Sequence, residues 1–325
     1  MNRARLARVV GTYGVLIALA ALIFFGWWRY TGFLSAFNIW SVLRYNSMFA
    51  LVALGMCFVI MTGGIDLSVG STAALGSVAA ALLSPYGILP GAAAGIGVGL
   101  IVGILNGLLV TRLNIMPFIA TLATMLAASG SALLLAGNAS VSVSYESGFT
   151  WLGQGNLWVL PVPMIIAAIA YIVGSITLNY TSFGRTVLAI GGGEDASRMM
   201  GLRTDLVKFL VYLMSGGLAG FAGVLLAAQF GAGQPIEGVG WELFAIASVV
   251  VGGTLLTGGS GSVVTTLAGV LLLGILFNVL NFENGMGWIS LSAAWQSVVR
   301  GLFLLAVVTL QARLTRGQAQ GGATA

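Results

Sequence analysis

Residues 89–110, LPGAAAGIGVGLIVGILNGLLV, decide the fold of this chain. They carry no charge, and they are long enough for one membrane-spanning helix, which needs about 20 apolar residues. Gly95, Gly99 and Gly103 recur every fourth residue and so share one face of that helix, where small residues let a neighbouring backbone approach closely. The stretch therefore predicts a transmembrane helix in a closely packed bundle.

The composition of the whole chain has the same character. Apolar residues make up 58% of its 325 residues and charged residues 6%, whereas about 25% of an ordinary globular chain is charged. We predict an all-α, polytopic integral membrane protein with a single transmembrane domain over residues 1–325. Its membrane body is expected at 9–310 and a flexible tail at 311–325.

About ten segments are apolar enough to be transmembrane helices. They are 9–28, 41–61, 71–83, 89–110, 117–137, 159–178, 208–229, 244–256, 262–281 and 290–310. The third and eighth are short and lie beside glycine-rich breaks, so part of their membrane depth is expected to be non-helical. The first apolar run is too long for a cleavable signal peptide, and we expect none.

The basic residues predict the orientation, because cytoplasmic loops carry an excess of Lys and Arg. With a cytoplasmic N-terminus and ten spans, ten of the 13 basic residues are cytoplasmic, and the exceptions are Arg29, Arg44 and Arg300. Both termini are then cytoplasmic. Residues 138–158 form an external loop, and 179–207 form the longest cytoplasmic connection.

Counting residues excludes several kinds of chemistry. The chain has no His and a single Cys, Cys57, which excludes internal disulfides, zinc clusters and histidine-assisted catalysis. Its only Lys, Lys208, precedes Phe209, so a nucleotide-binding Gly-Lys-Ser/Thr loop is missing. We predict no catalytic residue, metal or cofactor, and any ATP-driven work must come from a separate subunit. The basic charge lies between spans and does not indicate nucleic-acid binding.

Two glycine-rich breaks share a pattern. GGIDLSVGS at 63–71 aligns with GGTLLTGGS at 252–260 at a constant offset, either by chance in a glycine-rich chain or as an internal repeat. Transporters often place such breaks in corresponding positions of two halves, beside the pathway. Asp66, within the first break, is the one acid in the apolar body of the first half. It either caps a helix and maintains the fold or contacts substrate or a partner.

Other polar and aromatic residues within spans are candidates for the translocation pathway. Arg300, in the last span, needs a cavity, a helix end or an acid such as Glu242 or Glu283, for pathway or interface function or for structural pairing. Amides and aromatic rings together suit a sugar-sized ligand, although each of them also suits ordinary packing. The predicted pathway residues are Asn46, Asp66, Ser68, Asn106, Phe118, Trp241, Asn278 and Arg300.

The longest cytoplasmic connection contains GRTVLAIGGGEDASRMMGL at 184–202. Glu194 and Asp195 favour a helix start, and Arg198 and Met199 follow, so a short amphipathic helix is predicted. The adjacent Met199 and Met200, if exposed on this helix, suit docking into a groove of a partner protein. The alternative is a solvated linker.

Four motifs carry a resemblance to a known family. They are TGGIDLSVGS at 62–71, NIMPFIATLATM at 114–125, FGRTVLAIGGGEDASRMMGL at 183–202 and GVGWELFAIASVVVGGTLLTGG at 238–259. With matching order from about 38 to 310, the chain resembles membrane permease subunits of bacterial ribose-type ABC sugar importers. The residues after Asn278 and the Leu310-Gln311 ending look most similar to galactofuranose-importer permeases. Phe244 departs from the family, which commonly has Asp there.

The resemblance implies a function and partners. Such a permease sits in the bacterial inner membrane, in contact with lipid, and moves a monosaccharide of pentose or furanose type from periplasm to cytoplasm. It pairs with a second, identical or related permease, a cytoplasmic ABC ATPase and a periplasmic sugar-binding protein. The implied ATPase-coupling residues are Gly191, Gly192, Glu194, Asp195, Ala196, Arg198, Met199 and Gly201.

Two alternatives stay open from the sequence. The same machinery could serve a nucleoside, a polyol or a branched-chain amino acid. An ion-coupled secondary transporter is a different class, and it normally needs intramembrane acids, of which Asp66 alone is clearly available.

Overall fold

The computed structural model describes residues 3–285 and, beyond them, only residues 295, 298, 301, 302, 305 and 309. The helices are α1 Arg3–Arg29, α2 Ala36–Met61, α3 Val69–Leu83, α4 Ile88–Thr111, α5 Pro117–Leu135, α6 Trp151–Gln154, α7 Val162–Tyr180, α8 Ser182–Gly192, α9 Glu194–Met199, α10 Thr204–Phe230, α11 Trp241–Val251 and α12 Val263–Gly285. A 3₁₀ turn, Ser84–Tyr86, follows α3. The strands are β1 Val141–Ser142, β2 Asn156–Leu157, β3 Leu160–Pro161 and β4 Ala232–Gly233.

The helices have the lengths and composition of membrane spans. Within the described residues, 7 helices are long and apolar enough to cross a bilayer, and 14–29 and 241–251 are shorter apolar helices. The segments expected to be short are α3, with 15 residues, and α11, with 11. The all-α polytopic class is therefore confirmed. The predicted tenth span, 290–310, and the tail at 311–325 lie outside the described residues, apart from a few isolated positions in the span.

The core of the bundle is α2 packed against α10, with α3 and α4 beside them. Residues 46–61 of α2 are all buried. Glycines let α4 and α10 touch through their backbones, since a Cβ on Gly216 would lie 2.3 Å from the Gly99 carbonyl oxygen and one on Gly103 would lie 2.6 Å from that of Tyr212. This contact confirms the close packing predicted from the glycine spacing.

The two ends of the bundle carry different elements. Helices α4 and α10 run antiparallel, so the end of α4 lies beside the start of α10. The α9 end carries α8, α9, the end of α4 and the start of α10, where Phe209 lies against Gly107. The α6 end carries α6 and both small sheets, in which β1 pairs with β4 and β2 pairs with β3, each antiparallel. The predicted cytoplasmic connection and the predicted external loop are thus at opposite ends.

Candidate functional site

Helix α2 stops at a glycine turn inside the bundle. Gly63 has φ +82°, a left-handed conformation that glycine adopts without strain. The Gly63 N–H donates to the Ile60 carbonyl at 2.8 Å and the Gly64 N–H to the Val59 carbonyl at 3.1 Å. This pair of bonds satisfies carbonyls that the end of a helix would otherwise leave unpaired.

Helix α11 ends in the same way. Gly253 has φ +87°, its N–H donates to the Val250 carbonyl at 2.9 Å, and the Thr254 N–H donates to the Val249 carbonyl at 3.2 Å. The structural counterpart of Gly63 is therefore Gly253, one residue along from the alignment that the sequence suggested. The reason is conformational, because only the left-handed residue can end the helix and Gly252 is still helical at φ −64°.

Asp66 lies in the first break and is fully buried. Its Oδ1 accepts from the Ser68 N–H at 3.0 Å and the Ser68 hydroxyl at 2.6 Å, and its Oδ2 accepts from the Ser215 hydroxyl of α10 at 2.8 Å. The Asn106 amide of α4 donates to Ser68 Oγ at 2.8 Å, and the Thr124 hydroxyl of α5 donates to Asn106 Oδ1 at 2.6 Å. This buried cluster joins the break to three helices.

Three of the predicted pathway residues, Asp66, Ser68 and Asn106, thus meet in one place. Within the described part of the chain they are packed inside the protein and do not line an open cavity. Ser215 was missed from the sequence, since a serine in an apolar helix gives no signal of its contact with a carboxylate 149 positions away.

A cavity of about 1200 Å³ opens at the α6 end, between the first half of α2, the start of α11 and the second half of α12. It brings together three other predicted residues, Asn46, Trp241 and Asn278. The residues around it combine aromatic rings with carboxamides, one guanidinium and one carboxylate, that of Glu237. They include Trp40, Arg44, Asn46, Tyr45, Phe49, Asn156, Phe230, Trp241, Phe244, Phe277 and Asn278.

Aromatic rings make a continuous wall of this cavity. The ring of Phe49 lies 4.6 Å from that of Trp241 and 4.4 Å from that of Phe244, between centroids. Phe244 is the position where the family commonly has Asp, so this wall is apolar where a charge was expected. Phe49 was not singled out from the sequence, because apolar residues of a buried span look alike.

The carboxamides of the cavity are held in place by neighbours. Asn46 donates to the Val42 carbonyl at 2.8 Å and lies against Gly274, where a Cβ would fall 2.0 Å from Asn46 Oδ1. Asn278 and Asn38 exchange hydrogen bonds of 2.9 and 3.0 Å through their side-chain amides. Each group is therefore oriented before any ligand arrives.

Arg44 fixes the rim of the cavity. Its guanidinium donates to the Gln154 carbonyl at 2.8 Å and to Asn156 Oδ1 at 2.7 Å, which ties the start of α2 to α6 and β2. Arg44 is one of the three basic residues that are not cytoplasmic in the predicted orientation.

The remaining predicted pathway residues lie apart from the cavity or outside the structure. Phe118 is exposed at the start of α5, towards the α9 end, and Arg300 lies outside the described residues. Glu283, suggested as a partner of Arg300, accepts from the Tyr30 hydroxyl at 2.6 Å and lies 3.7 Å from Arg29. Burial and the bond to Glu283 raise the pKa of Tyr30 to about 12, so its hydroxyl stays protonated as the donor.

The predicted short helix at the α9 end is α9, residues Glu194–Met199. Lys208 of α10 holds Glu194 with Nζ at 3.0 and 2.9 Å from its two carboxylate oxygens. Arg198 bridges Glu194 and Asp205. These ion pairs fix α9 on α10 while Met199 stays 90% exposed, with Asp195 and Ala196 also on the surface.

The segment before α9 touches the end of α2 and the second glycine break. A Cβ on Gly191 would lie 2.0 Å from the Met61 carbonyl oxygen and 2.2 Å from the Gly259 nitrogen. The Gly259 N–H in turn donates to the Met61 carbonyl at 3.0 Å. We call this contact of Met61, Gly191 and Gly259 the glycine junction. Gly192 borders it, and Gly201, at φ +79°, turns the chain after α9.

A bundle of apolar helices, broken at two glycine turns, has the architecture of a membrane transport protein. The chain belongs to the family described as branched-chain amino acid transport system, permease component, whose model matches residues 38–308. It is a multi-pass inner-membrane permease and not an enzyme.

Individual relatives cover most of the chain. The ribose import permease protein of Bacillus subtilis (strain 168) is 40% identical over 281 residues, 86% of this chain and 85% of the relative. The ribose import permease protein of Escherichia coli (strain K12) is 36% identical over 298 residues, 90% of this chain and 91% of the relative. The L-arabinose transport system permease protein of the same strain is 36% identical over 303 residues, which are 93% of this chain and 90% of the relative. No solved structure matches the chain.

Proposed function

We propose that this chain is the pathway subunit of an ATP-binding-cassette importer that carries a monosaccharide of pentose or furanose type into the cytoplasm. The observation that carries the proposal is the cavity at the α6 end, where aromatic rings and oriented carboxamides face one space of about 1200 Å³. Rings pack on the apolar faces of a sugar, and carboxamides bond its hydroxyls. The volume exceeds a closed small-ligand site, which suits an entry vestibule.

The two ends of the bundle match two protein partners. The α6 end, with the cavity, would receive sugar from a periplasmic binding protein. The α9 end would seat on a cytoplasmic ABC ATPase, with Met199 as a hydrophobic anchor among the charges of Asp195 and Arg198. Both termini are then cytoplasmic. A second permease, identical or related, completes the pathway.

The glycine junction gives the ATPase a route to the pathway. Movement of α9 is passed to α8 through one residue, Gly193, and the end of α8 lies against the Met61 and Gly259 backbones. Met61 is the last residue of α2, Gly259 lies in the break before α12, and both helices line the cavity. Backbone contact without intervening side chains transmits a displacement directly. This contact supports Gly191 as a residue of the coupling element.

The cargo is the open part of this proposal. The family description names branched-chain amino acids, whereas the relatives above are named for ribose and L-arabinose. The aromatic wall with carboxamides suits a sugar better than an amino acid zwitterion, because within the described residues Arg44, the guanidinium at the rim, is already bonded to Gln154 and Asn156. The finer galactofuranose assignment stays a prediction.

The surroundings of Asp66 do not suit an ion-coupled transporter. Asp66, the acid on which it would depend, is buried among the Ser68 and Ser215 hydroxyls and away from the cavity. These contacts favour its role in holding the fold.

Reconstitution tests the proposed function. The permease, its ATPase and a sugar-loaded binding protein in proteoliposomes should take up labelled sugar with ATP inside, and ionophores should not change the rate. Met199→Asp should abolish ATPase co-purification and uptake, and Met199→Leu should preserve both. Uptake that collapses with the proton or sodium gradient at constant ATP would exclude the importer mechanism.

A further inference from the structure

A second cavity, of about 680 Å³, lies at the α9 end on the side of the bundle formed by α4 and α10. Arg112 and Thr111, at the end of α4, form one side of it, and Arg203 and Leu206, at the start of α10, form the other. Phe209 also lines the cavity, and its ring lies against Gly107. None of the residues proposed above for the sugar pathway lines this cavity within the described part of the chain.

The cavity has uncompensated positive charge. Arg198, which also lines it, is neutralised by Glu194 and Asp205. In the part of the chain that the structure describes, Arg112 and Arg203 have neither a hydrogen bond nor an ion pair from their side chains, and both are exposed. Two guanidinium groups at facing helix ends, without protein partners, favour an anionic ligand, and a guanidinium binds phosphate oxygens well.

Apolar side chains also line the cavity. Leu108 is 41% exposed and Leu206 is 48% exposed, and both are among its lining residues. Helix α4 as a whole leaves most of its apolar residues exposed, as a lipid-facing span does. The arginines therefore lie at the level where the apolar part of the helices ends, which is the level of lipid headgroups.

We propose that this cavity binds the headgroup of an anionic phospholipid, with the phosphate between Arg112 and Arg203 and the acyl chains along Leu108 and Leu206. A basic pocket between transmembrane helices is a known form of lipid-headgroup site, and this one combines the charge with an apolar path for the chains. A soluble phosphate is also an anion, but it has no acyl chains to contact Leu108 and Leu206.

Native mass spectrometry of the detergent-purified permease tests this proposal, with phosphatidylglycerol as the probe and phosphatidylcholine as its headgroup-neutral counterpart. The wild-type protein should retain phosphatidylglycerol preferentially. Arg112→Gln and Arg203→Gln should each weaken that retention about fivefold, as expected for one basic residue at an anionic membrane surface. Arg185→Gln, which removes an exposed arginine of α8 outside the cavity, should leave it unchanged.

Three results would overturn the proposal. The first is equal loss in the Arg185 variant, which would mean that net charge alone attracts the lipid. The second is displacement of phosphatidylglycerol by inorganic phosphate at the same concentration, which would identify a free-phosphate site. The third is unchanged lipid retention with loss of ATPase co-purification, which would assign the arginines to a protein contact. The melting temperature of each lipid-free variant should equal that of the wild type, because the exposed arginines hold no described partner.

Discussion

The Ser215 hydroxyl donates a hydrogen bond to Asp66 Oδ2 at 2.8 Å and so ties the first helix break to the middle of α10. The carboxylate is fully buried, and its other oxygen is satisfied by Ser68. A buried carboxylate is tolerated inside a membrane protein only when such partners surround it. The contact therefore holds the non-helical segment between α2 and α3 against α10.

Removing this contact should destabilise the fold. We expect Ser215→Ala to lower the free energy of unfolding by about 1–3 kcal/mol, because a buried acceptor loses its donor. Asp66→Ala should cost more, since it leaves both Ser68 and Ser215 without their acceptor. Thermal unfolding in detergent measures both. Ser248→Ala is the control, because within the described residues the buried Ser248 hydroxyl donates only to the Phe244 carbonyl of its own helix, and it should shift the melting temperature less.

The glycine junction should be intolerant of a single methyl group. Gly191→Ala would place a Cβ 2.0 Å from the Met61 carbonyl oxygen, so α8 must move away from both breaks. We expect ATP-driven uptake to fall about tenfold or more, within the range of coupling energies between sites, while ATP hydrolysis by the complex continues.

Gly192→Ala is the matched control for that substitution. Among the described residues, a Cβ there has no heavy atom within 4 Å, and both glycines are helical. Uptake by the Gly192 variant should match the wild type. Equal activity of the two variants would show that the junction does not carry the coupling.

The ion pair of Glu194 and Lys208 should position α9. Glu194→Lys places two cations together at a distance now about 2.9 Å, and we expect weaker ATPase co-purification because α9 loses its anchor on α10. Lys208→Glu should act in the same way. The double variant restores opposite charges at these two positions and should recover part of the binding, because Arg198 still loses its ion pair with position 194. We expect a coupling energy of about 0.5–3 kcal/mol between the two positions. Additive losses would show that the pair does not position the helix.

Trp241 should be needed for cargo passage but not for assembly. Trp241→Ala removes the ring that packs on Phe49 in the cavity wall, so we expect slower sugar uptake with unchanged ATPase binding. Trp241→Phe should be milder, since a ring remains. Trp27→Ala, which removes a tryptophan from the outside of α1, is the control and should leave uptake unaffected. The measurement is initial uptake rate against substrate-loaded binding protein.

The orientation is testable by cysteine labelling in a Cys57→Ser background. A cysteine at position 158, exposed at the α6 end, should react with an impermeant reagent added outside cells whose outer membrane is permeable to it. A cysteine at position 199, exposed on α9, should react only after the inner membrane is opened. Labelling in the reverse order would invert the topology.

The sequence by itself determined the class, the approximate place of the spans within the described residues and the short helix before α10. Residues such as 89–110 carry no charge and are long enough to span a bilayer, so the sequence indicates a membrane environment for them. The four-residue glycine spacing predicts a close helix contact, which Gly99 and Gly216 make. The charge pattern at Glu194 to Arg198 likewise marks a helix start from local preferences alone. These features depend on interactions within a few residues or with the solvent.

The tertiary structure decided which polar residues share a site. Asp66 and Trp241 look equally suited to a pathway in the sequence, yet one is enclosed by α4 and α10 and the other lines the open cavity. In the second break the counterpart of Gly63 is Gly253, one residue after the position that the sequence alignment gave. The reason is that a left-handed residue ends the helix, and an alignment of residue types does not show which glycine is left-handed. Contacts between residues far apart in sequence depend on how whole helices pack, and a one-dimensional pattern does not contain that geometry.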